Sequence, residues 1–469
     1  MKKIAFFSIP AHGHTNPMLA VAKALLERGN RVRFYSFDEF ASKIAETGVE
    51  FVSCSRYLPE LTARQQAGLM KVSTTEMTIQ DIRVTLAMDP FLKEEISAFK
   101  PDVIFSDSVC FWGKLTAWKY QIPLVVSTST FAFNRYSASY MKNSPSEMAD
   151  LILGLPRISR ELKKLEPFGY RIKNALALVQ SEDTQDSVVY TSRRFQPFSE
   201  SYSDHYLFVG PSLLSRAVPG KKKERPLVYI AMGTVINDRP DLYRNCIQGL
   251  KDLDLDIILS VGKTVEIQDL GDLPENVKVC LTVDQPEVLS RADVFLTHCG
   301  MNSVSESLYM ATPMVLYPQT GEQQAVARRV MEIGAGILLK EDSPEEICAC
   351  VKAILENPSY REAACASRED FRACPGPEGA AAFIESAPHQ AEENPKMRDV
   401  RRANNRFQAF YWSITAVLLA GWILAGWKAP WIIGILMAML NPMIGRKAQE
   451  RSFGKAFGKQ RAFRKRNEG

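Results

Sequence analysis

Short β-rich apolar runs alternate with segments of helical period over the first 130 residues of the chain. Ile4–Ile9, Arg31–Phe37, Pro101–Asp107 and Pro123–Ser127 predict strands, and Asn16–Arg28 and Asp38–Thr47 predict helices between some of them. The same alternation restarts further on. Leu227–Met232, Leu255–Val261, Val277–Leu281, Asp293–His298 and Pro313–Pro318 predict strands, with helices at Ser303–Met310 and Gln323–Glu332. This is the pattern of open parallel sheets wrapped by helices. It predicts an α/β chain of two Rossmann-like, doubly wound domains, 1–215 and 227–385. Between them 216–226, with two prolines, a glycine and a Lys-Lys-Lys run, is an exposed linker. Residues 131–205 have mixed periodicity and are assigned only as the rest of the first domain. Ligands of open α/β sheets sit outside the carboxyl ends of the strands, so the interdomain cleft is the expected site.

After a basic linker at 386–407, residues 408–427 carry no charge and are aromatic at both ends. At 1.5 Å per helical residue the run is about 30 Å long, the thickness of a bilayer core. Residues 431–445 form a second, shorter uncharged run. With Trp412, Trp427 and Trp431 as interfacial belts and Arg401, Arg402, Arg406, Arg446 and Lys447 on the flanks, 408–445 predicts a transmembrane hairpin with both ends cytoplasmic. An interfacial or re-entrant pair is the alternative.

Charge sharpens this reading. Residues 446–469 hold nine basic and two acidic side chains and 396–445 hold six and one, so a net charge of +5 conceals a body of about −7. A basic tail beside an apolar run suits anionic headgroups better than nucleic acid. Usage of 46% hydrophobic and 24% charged residues excludes a wholly disordered or wholly membrane-embedded chain. The nine cysteines lack CxxC pairs and metal-like spacing, which predicts reduced thiols. Met1-Lys2-Lys3 leads straight into the first apolar run, unlike a signal peptide, so the expected location is the cell membrane with the catalytic domains cytoplasmic.

The chemistry gathers at strand ends. The first strand runs into Pro10-Ala-His-Gly-His-Thr-Asn-Pro17, which puts His12 and His14 at a strand-to-helix turn. An imidazole there either packs or caps, or serves as a base near neutral pH. Asp107 ends another strand. As a helix N-cap it would be structural; behind His14 it would fix the tautomer and stabilise the imidazolium. In the second domain, Thr297-His-Cys-Gly-Met-Asn-Ser-Val-Ser-Glu306 combines Gly300, where backbone can approach a ligand, with a helix N-terminus at Asn302 and Ser303 that favours an anion. His298 is placed to bond the same diphosphate and Glu306 to accept from ribose hydroxyls. Glu322 and Gln323, an acid beside an amide at the next strand end, suit a polyhydroxylated ligand or simply start a helix. Gly233 and Thr234, like Val261-Gly262-Lys263, stand at further strand ends, facing the diphosphate or only turning the chain.

These motifs together resemble the UDP-glycosyltransferase superfamily, in particular bacterial macrolide-type glycosyltransferases, over roughly residues 1–385. The resemblance rests on GHTNP after the first strand, on Asp107, and on THCGMNSVSES…ATPMVLYPQTGEQ. It implies the GT-B fold and inverting, metal-independent transfer of a hexose from a UDP-sugar, a co-substrate rather than a cofactor, to a hydroxyl of a hydrophobic lipid or polyketide-like acceptor. By match of motif His14 is the base, Asp107 its partner and His12 a supporting neighbour. His298, Gly300, Asn302 and Ser303 contact the diphosphate, Glu306 the ribose, Glu322 and Gln323 the donor sugar, and Gln285 lies on the uracil side. Relatives carry Trp-x-Pro-Gln where this chain has Thr282-Val-Asp-Gln285, so the aromatic platform for the base is missing. Two other classes fit the same fold: a membrane-bound nucleotide-sugar epimerase or hydrolase, and a sugar-nucleotide-binding protein without catalysis.

Overall fold

The structure, a computed structural model, describes residues 1–58, 73–134, 136–140, 145–172, 185–214, 225–234, 236–390 and 394–424, together with 437, 441, 445, 447–449 and 451–457. The chain forms two compact units, one of Met1–Pro197 and His205–His389 and the other of Phe198–Asp204 and Gln390–Gly469.

The larger unit contains two parallel sheets. Seven strands, β1 (Lys3–Phe7), β2 (Arg31–Ser36), β3 (Glu50–Ser53), β4 (Val103–Asp107), β5 (Leu124–Thr128), β6 (Asp186–Val189) and β7 (Tyr206–Phe208), lie in the order β3-β2-β1-β4-β5-β6-β7. Six more, β8 (Leu227–Ala231), β9 (Asp256–Ser260), β10 (Val277–Cys280), β11 (Val294–Thr297), β12 (Met314–Leu316) and β13 (Gly336–Leu338), lie in the order β10-β9-β8-β11-β12-β13. Central strands such as β4 and β8 are buried along their whole length, which is why they read as continuous apolar runs rather than alternating ones. Each sheet reverses its winding once, between β1 and β4 and between β8 and β11. Those switch points are where connecting loops diverge and leave a crevice. Register places Phe7 opposite Ser106 and Thr297 opposite Ala231, so the ends of neighbouring strands meet at each crevice.

The predicted elements are present with three differences. The first helix runs His12–Glu27, capped by Ala11, so both histidines stand in its first turn instead of before it. Thr74–Phe99, a 26-residue helix capped by the Ser73 hydroxyl on the Glu76 N–H, fills part of the first domain that periodicity left unassigned. The helix Gly376–Ser386 lies within the expected 227–385 domain, yet Ala380, Ala381 and Ile384 belong to the core of the first sheet. Glu385 bonds Arg28 and Asn30 there, and His389 donates its backbone N–H to the buried Asp186. Its apolar face is satisfied by the sheet at the start of the chain, a choice that no local pattern encodes.

The smaller unit contains the helix Pro395–Leu424. Tyr411 and Thr415 are buried in it, and the Tyr411 hydroxyl donates to the Met437 carbonyl. The Phe453 ring packs on Phe198 and Phe457. The expected transmembrane hairpin is not supported, since among the described residues no helix is long and apolar enough to cross a membrane. The physical reason lies in the helix itself: Arg398, Arg401, Arg402 and Arg406 occupy its first half, and Gln408, Ser413 and Thr415 interrupt the apolar part that follows. Residues 425–436 and most of 438–446, which include most of the second apolar run, lie outside the described residues, as do 216–224 of the linker and 458–469 of the tail.

Gly113 shows how closely the first crevice is built. A Cβ there would stand 2.3 Å from the Ser106 Oγ and 2.7 Å from the Phe7 Cβ, so only glycine lets the helix Phe111–Tyr120 approach β1 and β4. Gly113→Ala is expected to lower stability by about 1–3 kcal/mol through overpacking, read as a reduced midpoint in urea unfolding; an unchanged midpoint would mean that the backbone relaxes freely.

Candidate active site

At the first switch point β1 and β4 deliver His14 and Asp107 side by side. The Nδ1 of His14 lies 2.8 Å from the Asp107 Oδ2 and 3.0 Å from the Ser129 Oγ. Asp107 has no exposure to solvent, and its Oδ1 accepts the Val109 N–H at 2.9 Å. With the Nδ1 proton committed to the carboxylate, the ring's lone pair sits on Nε2, the nitrogen of a base. Burial by itself would lower the His14 pKa. The charge and hydrogen bond of Asp107, assisted by the Glu322 charge from the second domain, outweigh it and raise the pKa above its ordinary value of 6.5.

Two neighbours complete the dyad that motif reasoning did not identify. Ser129 follows β5, whose Ser127 pairs with Asp107 in register; a polar residue just past the end of an adjacent strand was the available clue. Lys114 is buried and donates from Nζ to the Ser108 carbonyl at 2.8 Å, steadying the loop after Asp107. Burial lowers its pKa to about 8 against the opposing charge of Asp107, so it stays mostly an ammonium at neutral pH. His12, the expected supporting neighbour, instead packs edge-on against Phe40 at 4.8 Å. Its pKa is lowered by burial and by Lys43 and Lys263.

At the second switch point β11 ends in Thr297, and Cys299 takes a φ of 67°, a left-handed conformation costly for a side chain with a Cβ. That twist turns Gly300 into the N-cap of the helix Met301–Met310 and leaves His298 against two glycines. A Cβ at Gly233 would lie 2.6 Å from the imidazole and one at Gly300 2.5 Å from it. Burial drops the His298 pKa to about 4, with the Ala231 carbonyl acting the other way, so the ring is neutral. Its Nδ1 is buried with no hydrogen-bond partner among the described residues. An orphaned ring nitrogen next to a helix N-terminus is matched to a ligand carrying oxygens.

Gln285, Ser303 and Glu306 form one cluster. The Gln285 Nε2 donates to Glu306 at 2.7 Å and to the Ser303 Oγ at 3.2 Å, while its Oε1 accepts from the Tyr229 hydroxyl. Burial raises the Glu306 pKa to about 7 despite the amide. Thr282 stands in the place of the missing aromatic platform, and Asp284, in the place of the proline, is a helix cap accepting the Glu287 N–H. Thr320 caps the helix Gly321–Ile333, which begins with Glu322 and Gln323, and the Gln323 Oε1 is taken by the Gln319 N–H at 2.7 Å. Thr234 is exposed at the end of β8. Asn302 does not point into the anion seat alone: its amide donates to the Gly13 carbonyl at 2.8 Å, from the second sheet's helix to the first's. Among the described residues no group of three or more His, Cys, Asp or Glu is arranged to hold a metal ion.

Comparison with known proteins agrees with this fold. The profile of the erythromycin biosynthesis protein CIII-like C-terminal domain matches residues 244–386. The uncharacterized UDP-glucosyltransferase YojK of Bacillus subtilis (strain 168) is 30% identical over 84% of this chain and 99% of its own length. The NDP-glycosyltransferase YjiC of the same organism is 31% identical over 82% and 98%. Among solved structures, the glycotransferase of kitacinnamycin superposes with a TM-score of 0.70 at 27% identity, over 82% of this chain and 98% of that one. Two parallel Rossmann-like sheets with paired switch points are the GT-B architecture, and the chain belongs to the macrolide-type glycosyltransferases of the UDP-glycosyltransferase superfamily.

Proposed function

We propose that the protein transfers a hexose from a UDP-sugar to a hydroxyl of a hydrophobic acceptor with inversion, using His14 as general base and no metal. The observation that carries this reading is the His14–Asp107 pair, with Nε2 left to take a proton and a carboxylate without solvent exposure behind it. As the acceptor oxygen attacks the anomeric carbon it passes its proton to Nε2, and Asp107 stabilises the resulting imidazolium. Negative charge grows on the departing diphosphate. His298, the N–H groups that follow Gly300 and the Ser303 hydroxyl are placed to receive it, with Gly233 and Thr234 bordering the same turn. Glu306 takes the ribose, Gln285 lies on the uracil side, and Glu322 with Gln323 takes the sugar hydroxyls. The hydrophobic acceptor is supported by the compounds named for similar proteins, erythromycin and kitacinnamycin.

The reading extends to attachment at the cytoplasmic face of an anionic membrane. Phe410, Ile414 and Val417 are exposed on a helix that also carries Arg398, Arg401, Arg402 and Arg406. Co-flotation with phosphatidylglycerol vesicles but not with phosphatidylcholine vesicles is the expected result, and no flotation with either removes the attachment.

His14→Ala is expected to cut transfer by roughly 10²–10⁴-fold while calorimetry finds UDP affinity nearly unchanged; wild-type turnover would take His14 out of the mechanism. Product analysis separates transfer from epimerisation and hydrolysis, EDTA is expected to leave the rate unaltered, and a dTDP-sugar run beside the UDP-sugar decides the nucleotide.

The pH dependence has a definite sign. A base must be unprotonated, so kcat/KM for the wild type falls as pH drops through the raised His14 pKa, above 6.5. Asp107→Asn removes the carboxylate charge and its hydrogen bond and leaves only the Glu322 charge against burial, which lowers the pKa. The rate should fall by roughly 10⁴-fold and the remaining acid limb should move to lower pH; an unmoved limb would assign that limb to another group. His298→Ala should weaken UDP binding by about 1.5–3 kcal/mol, the worth of a hydrogen bond to a charged group, and slow transfer with it.

A further inference from the structure

We propose that Asn302 is a positioning residue that ties the donor helix to the base-bearing helix through the Gly13 carbonyl, and that Pro17 keeps that carbonyl available. In an α-helix each carbonyl is closed by the N–H four residues on. For Gly13, in the first turn of the helix His12–Glu27, that residue is Pro17, which has no N–H to give. The Gly13 oxygen therefore lacks its intrahelical partner, and the Asn302 Nδ2 donates to it at 2.8 Å across 289 residues of sequence. Both ends of the bond are close to the chemistry. Gly13 is bonded directly to His14, and Asn302 is the second residue of the helix whose N-cap, Gly300, borders His298. Ser305, one turn further along that helix, donates to the Tyr190 carbonyl at 3.2 Å, a second crossing from the same helix to the first sheet's side.

The consequence is geometric. A base carried by one sheet must meet an anomeric carbon held by the other, and the clasp sets that distance. It accounts for the spacing of Gly13 and Pro17 and for an amide at 302 that spends one of its two N–H groups on the protein, where a diphosphate contact alone explains only the amide. The inference rests on the proposed roles of His14 and of the diphosphate seat.

The test uses the full chain with Asn302→Ala, Pro17→Ala and the double variant, measuring UDP affinity by calorimetry and kcat and KM for the donor sugar. Pro17→Ala restores an N–H that closes on the Gly13 carbonyl inside the helix and competes with Asn302, and it replaces a helix-interior proline with the best helix former. Since misplacement of about 1 Å costs on the order of 10²-fold, each single variant is expected to lose roughly 10- to 100-fold in kcat at saturating donor, and Pro17→Ala, outside the diphosphate seat, to hold UDP affinity within about threefold. The two act on one bond, so the double variant should be no slower than the slower single. The clasp is overturned if Pro17→Ala weakens UDP binding in proportion to its loss of kcat, or if a folded Pro17→Ala turns over like the wild type, or if the two losses multiply. If thermal unfolding shows that Pro17→Ala does not fold, kcat of Asn302→Ala at saturating donor decides, and a wild-type value overturns the clasp. Failure of the underlying reading looks different: the wild type would bind no UDP, or His14→Ala would be fully active.

Discussion

A carboxylate with no solvent exposure is expensive, and Asp107 is held at the end of β4 only because each of its oxygens is answered. Val109 closes one oxygen through its N–H and His14 the other through its ring, while the Lys114 ammonium contributes favourable charge from beneath. Val109 and Lys114 follow Asp107 closely in the chain while His14 lies 93 residues away, and Gly113 allows the helix Phe111–Tyr120 close enough to supply the lysine. The orientation and basicity of His14 are by-products of satisfying that buried charge. The catalytic geometry proposed for the enzyme and the stability of its first crevice therefore draw on the same bonds.

The second crevice is organised on the opposite principle. Its central histidine is kept neutral by burial and is left with an unpartnered nitrogen, against two glycines that admit no side chain. Cys299 holds a strained φ just before the helix N-terminus. Strain and an unmet hydrogen bond are tolerable where the surrounding sheet over-determines the backbone and a ligand supplies the missing partner. Gln285, Ser303 and Glu306 meanwhile satisfy one another. A ribose entering that cluster exchanges existing hydrogen bonds for new ones, so its net contribution to affinity is modest while its demand for hydroxyl geometry is strict.

Connectivity between the two sheets is carried by more than the crossing after β7. The helix Gly376–Ser386 returns to bury Ala380, Ala381 and Ile384 in the first core, with the Glu385 carboxylate accepting from Arg28 and Asn30. The chain thus ends its second sheet by packing against the first, and the polar contacts of Asn302 and Ser305 lie on the cleft side of the same pairing. Apolar burial provides the durable joint, and the hydrogen bonds, each worth about 1 kcal/mol, set the alignment of the facing loops.

By itself the sequence determined the parallel α/β class, most strand positions, the loop bearing His14, the strand ending in Asp107 and the helix N-terminus after His298. Each is written in local periodicity or turn chemistry, which a short stretch of chain carries whatever surrounds it. The pairing of His14 with Asp107 was legible as one of two readings of each strand end, since 93 residues separate them and sheet order alone makes their strands neighbours. Tertiary structure decided the rest: Ser129 and Lys114 beside the dyad, His12 turned onto Phe40, Asn302 drawn to Gly13, and the last helix of the larger unit assigned to the first core. It also left the membrane-spanning reading of 408–445 without support among the described residues, since an uncharged run in sequence does not specify how far a helix extends or which of its side chains other segments bury. Contacts between distant segments depend on which strands become adjacent and which faces meet, and no window of the sequence contains both partners.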